Sequence, residues 1–382
     1  MSSSGGNPER KDRRTVLFSW GLAVVLILVT LAGVEVAAQL AYRIYKGSWY
    51  FQDRKRFAAG MVQPHPWLGS RCVPNASAEL HGVRVTHNSF GLRGAEFARP
   101  KPPGLIRIVA VGASSTYCVG VSDNQTWPYL LEKQFGSPYE VLNMGGLGGT
   151  SVEATITTAL LFSDIQPDVA VYYLGWNDAR EQHVDDPWPD WSGFHGKWVM
   201  AYALESHEMT ARSATKYLLR RALFHYFFPR LDTIEMKSDV RGTQDKLTDR
   251  IDKRALGLYE RNLRNIVALC RRQGVQPVFV PQILNYQMLT SEKPYGWLPF
   301  VRDCDLKKVM AAYNETMAQV AKEEGVGFAG NVLDETYGAG DFVDNGHFSF
   351  AGNQHFARVL ASYLQQSPSL QKLGGAGRTH SP

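Results

Sequence analysis

From residue 105 to residue 366 the chain alternates short apolar runs with amphipathic stretches. That rhythm restricts the fold to a parallel sheet covered by helices on both faces. The run LIRIVAVG (105–112) fits a strand buried on both sides. WPYLLEKQF then reads as a helix, YEVLNM (139–144) as a second strand, SVEATITTALLF as a helix and DVAVYYLG (168–175) as a third strand. After an interruption at 183–250 the rhythm resumes. Leu256, Tyr259, Leu263, Ile266, Val267 and Cys270 mark one helix face ahead of Gly274, and PVFVP (277–281) is a strand. Leu306, Val309, Met310, Tyr313, Met317 and Val320 mark another face ahead of Gly325. The strand VGFAG and the helix NQHFARVLASYL close the unit. Upstream, AELHGVRVTHNSFGLRG alternates like a short hairpin within a proline-rich lead-in.

Residues 15–34 form a second constraint: TVLFSWGLAVVLILVTLAGV, twenty residues without a charge, ended by Glu35. At 1.5 Å per residue such a helix spans about 30 Å, the thickness of a bilayer core. It reads as an uncleaved membrane anchor. The competing reading is a cleaved signal peptide with Val36-Ala37-Ala38 as its cleavage site, against which the length of the run argues. Arg10, Lys11, Arg13 and Arg14 argue for a cytoplasmic N-terminus, but Arg43, Lys46, Arg54, Lys55 and Arg56 lie just beyond the span. A long domain translocates largely regardless of its charge, so the bulk of the chain is expected outside the cytoplasm. The expected organisation is a tail (1–14), a transmembrane helix (15–38), a linker and lead-in (39–103), a catalytic domain (104–368) carrying the insert 183–250, and a C-terminal tail (369–382).

Composition excludes several classes. Hydrophobic residues at 44% and charged residues at 20% rule out global disorder. The net charge is +5, and the four cations and two acids of the first fourteen residues hold +2 of it. What remains is no nucleic-acid footprint. Cys72, Cys118, Cys270 and Cys304 are widely spaced without a C-x-x-C pair, which argues against a disulfide framework and a zinc ribbon, though one or two disulfides stay open. His183, His195, His207 and His225 lie twelve to eighteen residues apart with no carboxylate partners, so they read as solvated or core histidines, and no metal is implied.

In an open parallel sheet, reactive groups gather at the carboxyl ends of strands. The first strand runs into Gly112-Ala113-Ser114-Ser115-Thr116, a small-residue turn that exposes one hydroxyl at a helix start. The second ends in Asn143-Met144-Gly145-Gly146-Leu147-Gly148-Gly149, whose backbone N–H groups suit an oxyanion. The third ends in Gly175-Trp176-Asn177-Asp178, which offers a side-chain amide. Ahead of the last helix stands Asp344-Asn345-Gly346-His347, spaced so that the carboxylate reaches the imidazole and fixes its tautomer. A G-x-S-x-G elbow is absent, since Thr116 takes its last position, and an α/β-hydrolase is excluded.

These four blocks, in this order, resemble those of the SGNH (GDSL-type) hydrolases, and the likeness covers roughly residues 104–366. HNSFGLRG (87–94) is also similar to the lead-in of bacterial membrane-anchored members. The resemblance implies a flavodoxin-like three-layer α/β/α fold with a mostly parallel sheet. It implies Ser114 as nucleophile, His347 as base and Asp344 as its orienting group. The Ser114 and Gly148 N–H groups with the Asn177 amide would form the oxyanion hole. No cofactor is implied. Two departures stand out: Ala113 replaces the family's usual Asp, and the insert is rich in aromatics.

The expected activity is hydrolysis of O-acyl esters, acetyl or short acyl, on a glycan or a lipid. Transfer of the acyl group to a glycan hydroxyl, and a non-catalytic glycan-binding role, are the alternatives. Ser115 and Asp341 sit one slot off the pattern, Asp178 reads as structural, and Cys118 reads as packing. Within the insert, Trp188, Trp191, Phe194 and Trp198 recur at helical spacing. They form either a substrate wall, with Trp188 and Trp191 as binding residues, or a face packed on the domain or the bilayer. Oligomeric state is not legible.

Overall fold

The computed structural model describes residues 8–52, 61–80, 82–181, 211, 213–227, 251–292, 301–368, 370, 371 and 373. Two compact units divide the chain. One comprises residues 1–59 and 208–229, the other residues 60–207 and 230–382.

In the first unit a long helix, α1 (Pro8–Lys46), contains the charge-free run. Its stretch Thr15–Lys46 is long and apolar enough to cross a membrane, and none of its most apolar window is buried.

The second unit opens with β1 (Val62–His65) and β2 (Gly69–Cys72), paired antiparallel, and β3 (Ser77–Leu80) and β4 (Val83–Thr86), paired likewise. The second hairpin is the one expected. The first was hidden in the proline-rich lead-in. Then come β5 (Ile106–Gly112), α2 (Ser114–Tyr117), α3 (Trp127–Phe135), β6 (Tyr139–Gly145), α4 (Ser151–Ile165), β7 (Val169–Tyr173) and α5 (Trp176–Glu181). The helix α6 (Ala214–Phe227) belongs to the first unit. The second continues with α7 (Lys253–Arg272), β8 (Gln276–Val280), α8 (Leu306–Glu324), β9 (Gly327–Phe328) and α9 (Phe350–Gln366).

Five strands form one parallel sheet in the order β6-β5-β7-β8-β9. Alternate residues of β5 enter different cores, because successive strand side chains point to opposite faces. Val109 and Val111 pack with α4, α7 and α8 through Phe162, Leu263, Ile266 and Met317. Ile108 and Ala110 pack with α3 and α9 through Trp127, Leu131, Phe356 and Leu360. This is the three-layer α/β/α arrangement that the periodicity predicts. Each such side chain, fully buried, contributes about 1.5–3 kcal/mol. Gly325 is the C-cap of α8 as expected, whereas Gln273 caps α7 and Gly274 follows it.

Arg107 is the one charge inside β5, fully buried near the N-terminal end of the strand, away from the site. Its Nε donates to Glu140 at 2.5 Å, its Nη2 donates to the Ala98 carbonyl at 2.8 Å, and its Nη1 reaches the Ile165 carbonyl. A buried cation is tolerated when it is paired with a carboxylate and hydrogen-bonded in this way.

From β5 the chain moves to one side for β6 and then crosses to the other for β7. The loops after these three strands therefore diverge around a topological switch point, where doubly wound sheets form their sites.

Candidate functional site

The first strand delivers Ser114 as the first residue of a single-turn helix. Its N-cap is Ala113, which has no side chain with which to cap, and the Ala113 carbonyl instead receives the N–H groups of Thr116 and Tyr117. Ser114 is half-buried. Ser115 is buried and occupied: its hydroxyl donates to the Gly346 carbonyl at 2.9 Å. That bond joins the turn holding Ser114 to the residue beside His347. Cys118 ends the turn in a left-handed conformation, φ +64°. Burial pushes its thiol up to about 12, against partial relief from the Arg93 charge, so it stays protonated and inert.

The second strand supplies the glycine loop. Gly146 N–H donates to the Gly112 carbonyl at 2.9 Å, holding the loop against the serine turn. Gly145 lies so close that a Cβ there would stand 2.1 Å from the Tyr117 nitrogen, which no other residue permits. Gly148 adopts φ +72°. The loop ends in α4, where the side chains of Thr150 and Glu153 satisfy each other's backbone donors.

From the third strand, Asn177 is buried, and its amide donates to the Gly149 carbonyl at 2.9 Å. Its neighbour Asp178 turns inward. It accepts from the Ser151 hydroxyl at 2.5 Å and the Ser151 N–H at 3.0 Å, and Asn262 donates to that hydroxyl at 2.8 Å. Asp178 therefore fixes the start of α4, directly behind the glycine loop.

The fourth block is closed on itself. Asp344 Oδ2 lies 2.7 Å from His347 Nδ1, while Oδ1 accepts the N–H groups of Gly346 at 2.9 Å and His347 at 2.8 Å. Burial works to raise the Asp344 carboxyl. The His347 ring and these backbone donors outweigh it and hold the group below the usual carboxylate range. Asp341 accepts from Gly338 instead, at 2.8 Å. The structure thus brings the loops of Ser114, Gly148, Asn177 and His347 to one end of the sheet.

The residues of HNSFGLRG carry no role legible in the sequence alone. Asn88 closes its turn by accepting from Phe90 and Leu92, and Arg93 is buried beneath the serine turn. The guanidinium bonds Asp123 at 2.9 Å and the carbonyls of Cys118 at 2.8 Å, Val121 at 2.5 Å and Tyr117. His87 meets the Tyr117 hydroxyl at 2.8 Å, and burial, with the Arg93 charge, lowers its basicity. The one signal available was a turn opened by Asn88 and reaching Gly91, followed by an arginine and, further on, an apolar strand.

Trp188, Trp191, Phe194 and Trp198 lie outside the described residues, as do His183, His195 and His207. Among the described residues no group of three or more His, Cys, Asp or Glu is arranged to hold a metal. No two cysteines are joined in the structure: Cys118 and Cys270 are buried, Cys72 half-buried and Cys304 exposed.

A five-stranded parallel sheet with these four loops at its switch point defines an SGNH-type hydrolase. The chain belongs to the GDSL-like lipase/acylhydrolase family, whose profile matches residues 110–355, and is by class a carboxylic ester hydrolase. Among solved structures, that of TesA is similar at 15% identity and a TM-score of 0.39, covering 70% of this chain and 99% of its own. A catalytic mutant of Axe2, an acetylxylan esterase from Geobacillus stearothermophilus, is similar at 15% identity and a TM-score of 0.38, covering 68% and 93%. The acetyl xylan esterase AlAXEase is similar at 12% identity and a TM-score of 0.37, covering 67% and 98%. No curated protein matches the chain.

The buried carboxyls behind the glycine loop set a pH dependence of stability. Burial, aided by the Asp178 charge and opposed by Thr150 donors, raises Glu153 from 4.5 to about 8. Burial likewise raises Asp178 to about 6. A raised carboxyl favours the protonated native state, so its stability contribution is full below the unfolded value and is lost as pH climbs through the folded one. Thermal unfolding of the wild type should fall progressively between pH 4.5 and about 8. Glu153→Gln keeps an acceptor for the Thr150 N–H and should abolish the decline above about pH 6, leaving what Asp178 contributes. The difference at alkaline pH should be on the order of a few kcal/mol. Parallel melting curves for the two proteins would remove Glu153 as the cause.

Proposed function

We propose that this chain is a membrane-anchored serine esterase acting through Ser114, His347 and Asp344. Ser114 Oγ attacks the ester carbonyl while His347 Nε2 takes its proton. The Ser114 and Gly148 N–H groups and the Asn177 amide stabilise the developing oxyanion, each such donor being worth about 2.7–4 kcal/mol. Collapse of the tetrahedral adduct returns the proton to the departing alcohol and leaves Ser114 acylated. Water then attacks the acyl carbon while His347 takes its proton; as the adduct collapses the bond to Ser114 Oγ breaks, His347 returns the proton to that oxygen, and the carboxylic acid departs. Asp344 keeps the Nδ1 hydrogen in place and stabilises the imidazolium.

The observation that carries this reading is the bond from Ser115 Oγ to the Gly346 carbonyl. It ties together loops 231 residues apart and leaves Ser114 as the half-buried hydroxyl of the turn. The substrate class is an O-acyl ester, acetyl or short acyl, on a glycan or lipid. A fluorophosphonate probe tests the assignment. Wild type should be labelled at Ser114 and Ser114→Ala should not be; a label recovered on Ser115 would move the nucleophile by one residue.

The anchor in this reading is the apolar run ahead of Glu35, with the catalytic domain outside the cytoplasm. Its support is the length of the Thr15–Lys46 stretch and the exposure of its most apolar window, none of which is buried. Carbonate washing of membranes should leave the protein in the pellet. A shortened form free in the supernatant would instead mark the run as a cleaved signal.

A further inference from the structure

The first unit contains a feature that an ester hydrolase does not require. Upstream of Glu35, the side chains of α1 from residue 15 on are exposed, apart from half-buried Ala23. From Glu35 onward one face is covered. Glu35 and Gln39 are half-buried and Ala38 and Tyr42 buried, a spacing of three, one and three that marks a single helix face. The covering element is α6. Glu35 caps its start, accepting from the Ala214 N–H at 2.8 Å, the Thr215 N–H at 3.1 Å and the Thr215 hydroxyl at 2.7 Å. Three tyrosines lock the joint, with ring centroids 5.0–5.4 Å apart among Tyr42, Tyr50 and Tyr217. The Tyr50 hydroxyl donates to the Ala211 carbonyl at 2.8 Å.

Since the twenty residues before Glu35 fill a bilayer core, the joint falls where hydrocarbon gives way to headgroups. The flanking residues suit that level. Arg43 sits over the Trp49 ring at 4.5 Å and Lys46 over Tyr45 at 5.4 Å. Such aromatic and basic pairs are typical of membrane interfaces.

The outer face of α6 is the informative one. Ala214, Tyr217 and Leu218 turn toward α1. At 3.6 residues per turn the opposite face carries Leu219 and Leu223, flanked by Lys216 and Arg220. Leu219 is 58% exposed and Leu223 48%. Leucines one turn apart with two cations along one side make a narrow amphipathic stripe. A helix of this kind lies in the interface plane, its apolar stripe in the acyl boundary and its cations among anionic phosphates.

We propose that α6 is a second membrane contact, an interfacial helix that Glu35 docks onto the anchor and that binds the surface of an anionic bilayer. This rests on the reading of residues 15–34 as a transmembrane anchor.

The test uses full-length protein reconstituted in vesicles of phosphatidylcholine with or without phosphatidylglycerol, with Cys72 and Cys304 replaced by serine. An environment-sensitive fluorophore is attached through Leu223→Cys or, as a reference for the anchor, through Leu26→Cys. Both positions are exposed, so neither label disturbs the fold. The probe at position 223 should shift to the blue, be quenched by lipids labelled near the headgroup and resist aqueous iodide. Phosphatidylglycerol should strengthen this, and Lys216→Glu with Arg220→Glu should remove the strengthening. A water-like signal at 223 beside a lipid-quenched signal at 26 overturns the proposal and leaves the anchor standing. A water-like signal at both overturns the anchor and the proposal together. Equal signals with and without phosphatidylglycerol overturn the headgroup pairing.

Discussion

Ser114→Ala should abolish hydrolysis of p-nitrophenyl acetate while the protein remains folded. Loss of a triad nucleophile lowers kcat on the order of 10⁶-fold, so activity should drop to whatever the oxyanion donors alone sustain. The neighbouring hydroxyl offers no rescue, because Ser115 is buried and committed to the Gly346 carbonyl. Nor does the thiol of Cys118, which burial keeps protonated. The substitution leaves the turn untouched: the bonds that hold it run from backbone N–H groups to the Ala113 carbonyl and from Arg93 to the carbonyls that follow. Melting curves of the two proteins should therefore agree within about 0.5 kcal/mol. Substantial turnover by a folded Ser114→Ala protein would sink the assignment, whatever the probe labels.

The sheet was legible because β5 and β7 are buried almost throughout on both faces, so they appear as apolar runs broken only by Arg107. The expected strands at 105–112, 139–144 and 168–175 lie within two residues of Ile106–Gly112, Tyr139–Gly145 and Val169–Tyr173. The α7 and α8 faces were legible through period 3.6, and their named residues enter one core. The candidate site was legible as four short blocks because strand ends can be located once the strands are. The β1–β2 hairpin was not, since VQPH and GSRC carry neither alternation nor a turn dipeptide. Partners distant in sequence were also hidden. Nothing in Arg93 announces that its guanidinium holds carbonyls 24 to 28 residues downstream. Glu35 looked like the residue that merely ends an apolar run, yet it caps a helix 179 residues away. Both gave a local signal, a charge beside apolar sequence, whose meaning depends on what folds back onto it.

Asp344→Asn should lower kcat/KM by about 10⁴-fold, or about 5 kcal/mol of transition-state stabilisation, without unfolding the protein. Only one of the two carboxylate oxygens is at stake. The oxygen that accepts the Gly346 and His347 N–H groups has an equivalent in asparagine, so the Asp-to-His turn survives. The other, 2.7 Å from His347 Nδ1, is replaced by an amide donor. Two N–H groups cannot face each other, so the imidazole must place its hydrogen on Nε2, the atom that accepts from Ser114 in the proposed mechanism. The variant is then folded, able to bind substrate, and in the wrong tautomer. The same change alters the acid limb of stability. The wild-type carboxyl is held below its usual range, so its stabilising contribution is present above the unfolded value and is lost as pH falls through the folded one. Asparagine has no such contribution to lose, and its melting temperature should be flatter over that interval. A rate close to wild type would place the orienting role elsewhere. Asp341 is poorly suited to take it, since its carboxylate accepts from the Gly338 N–H at 2.8 Å and lies 3.9 Å from His355.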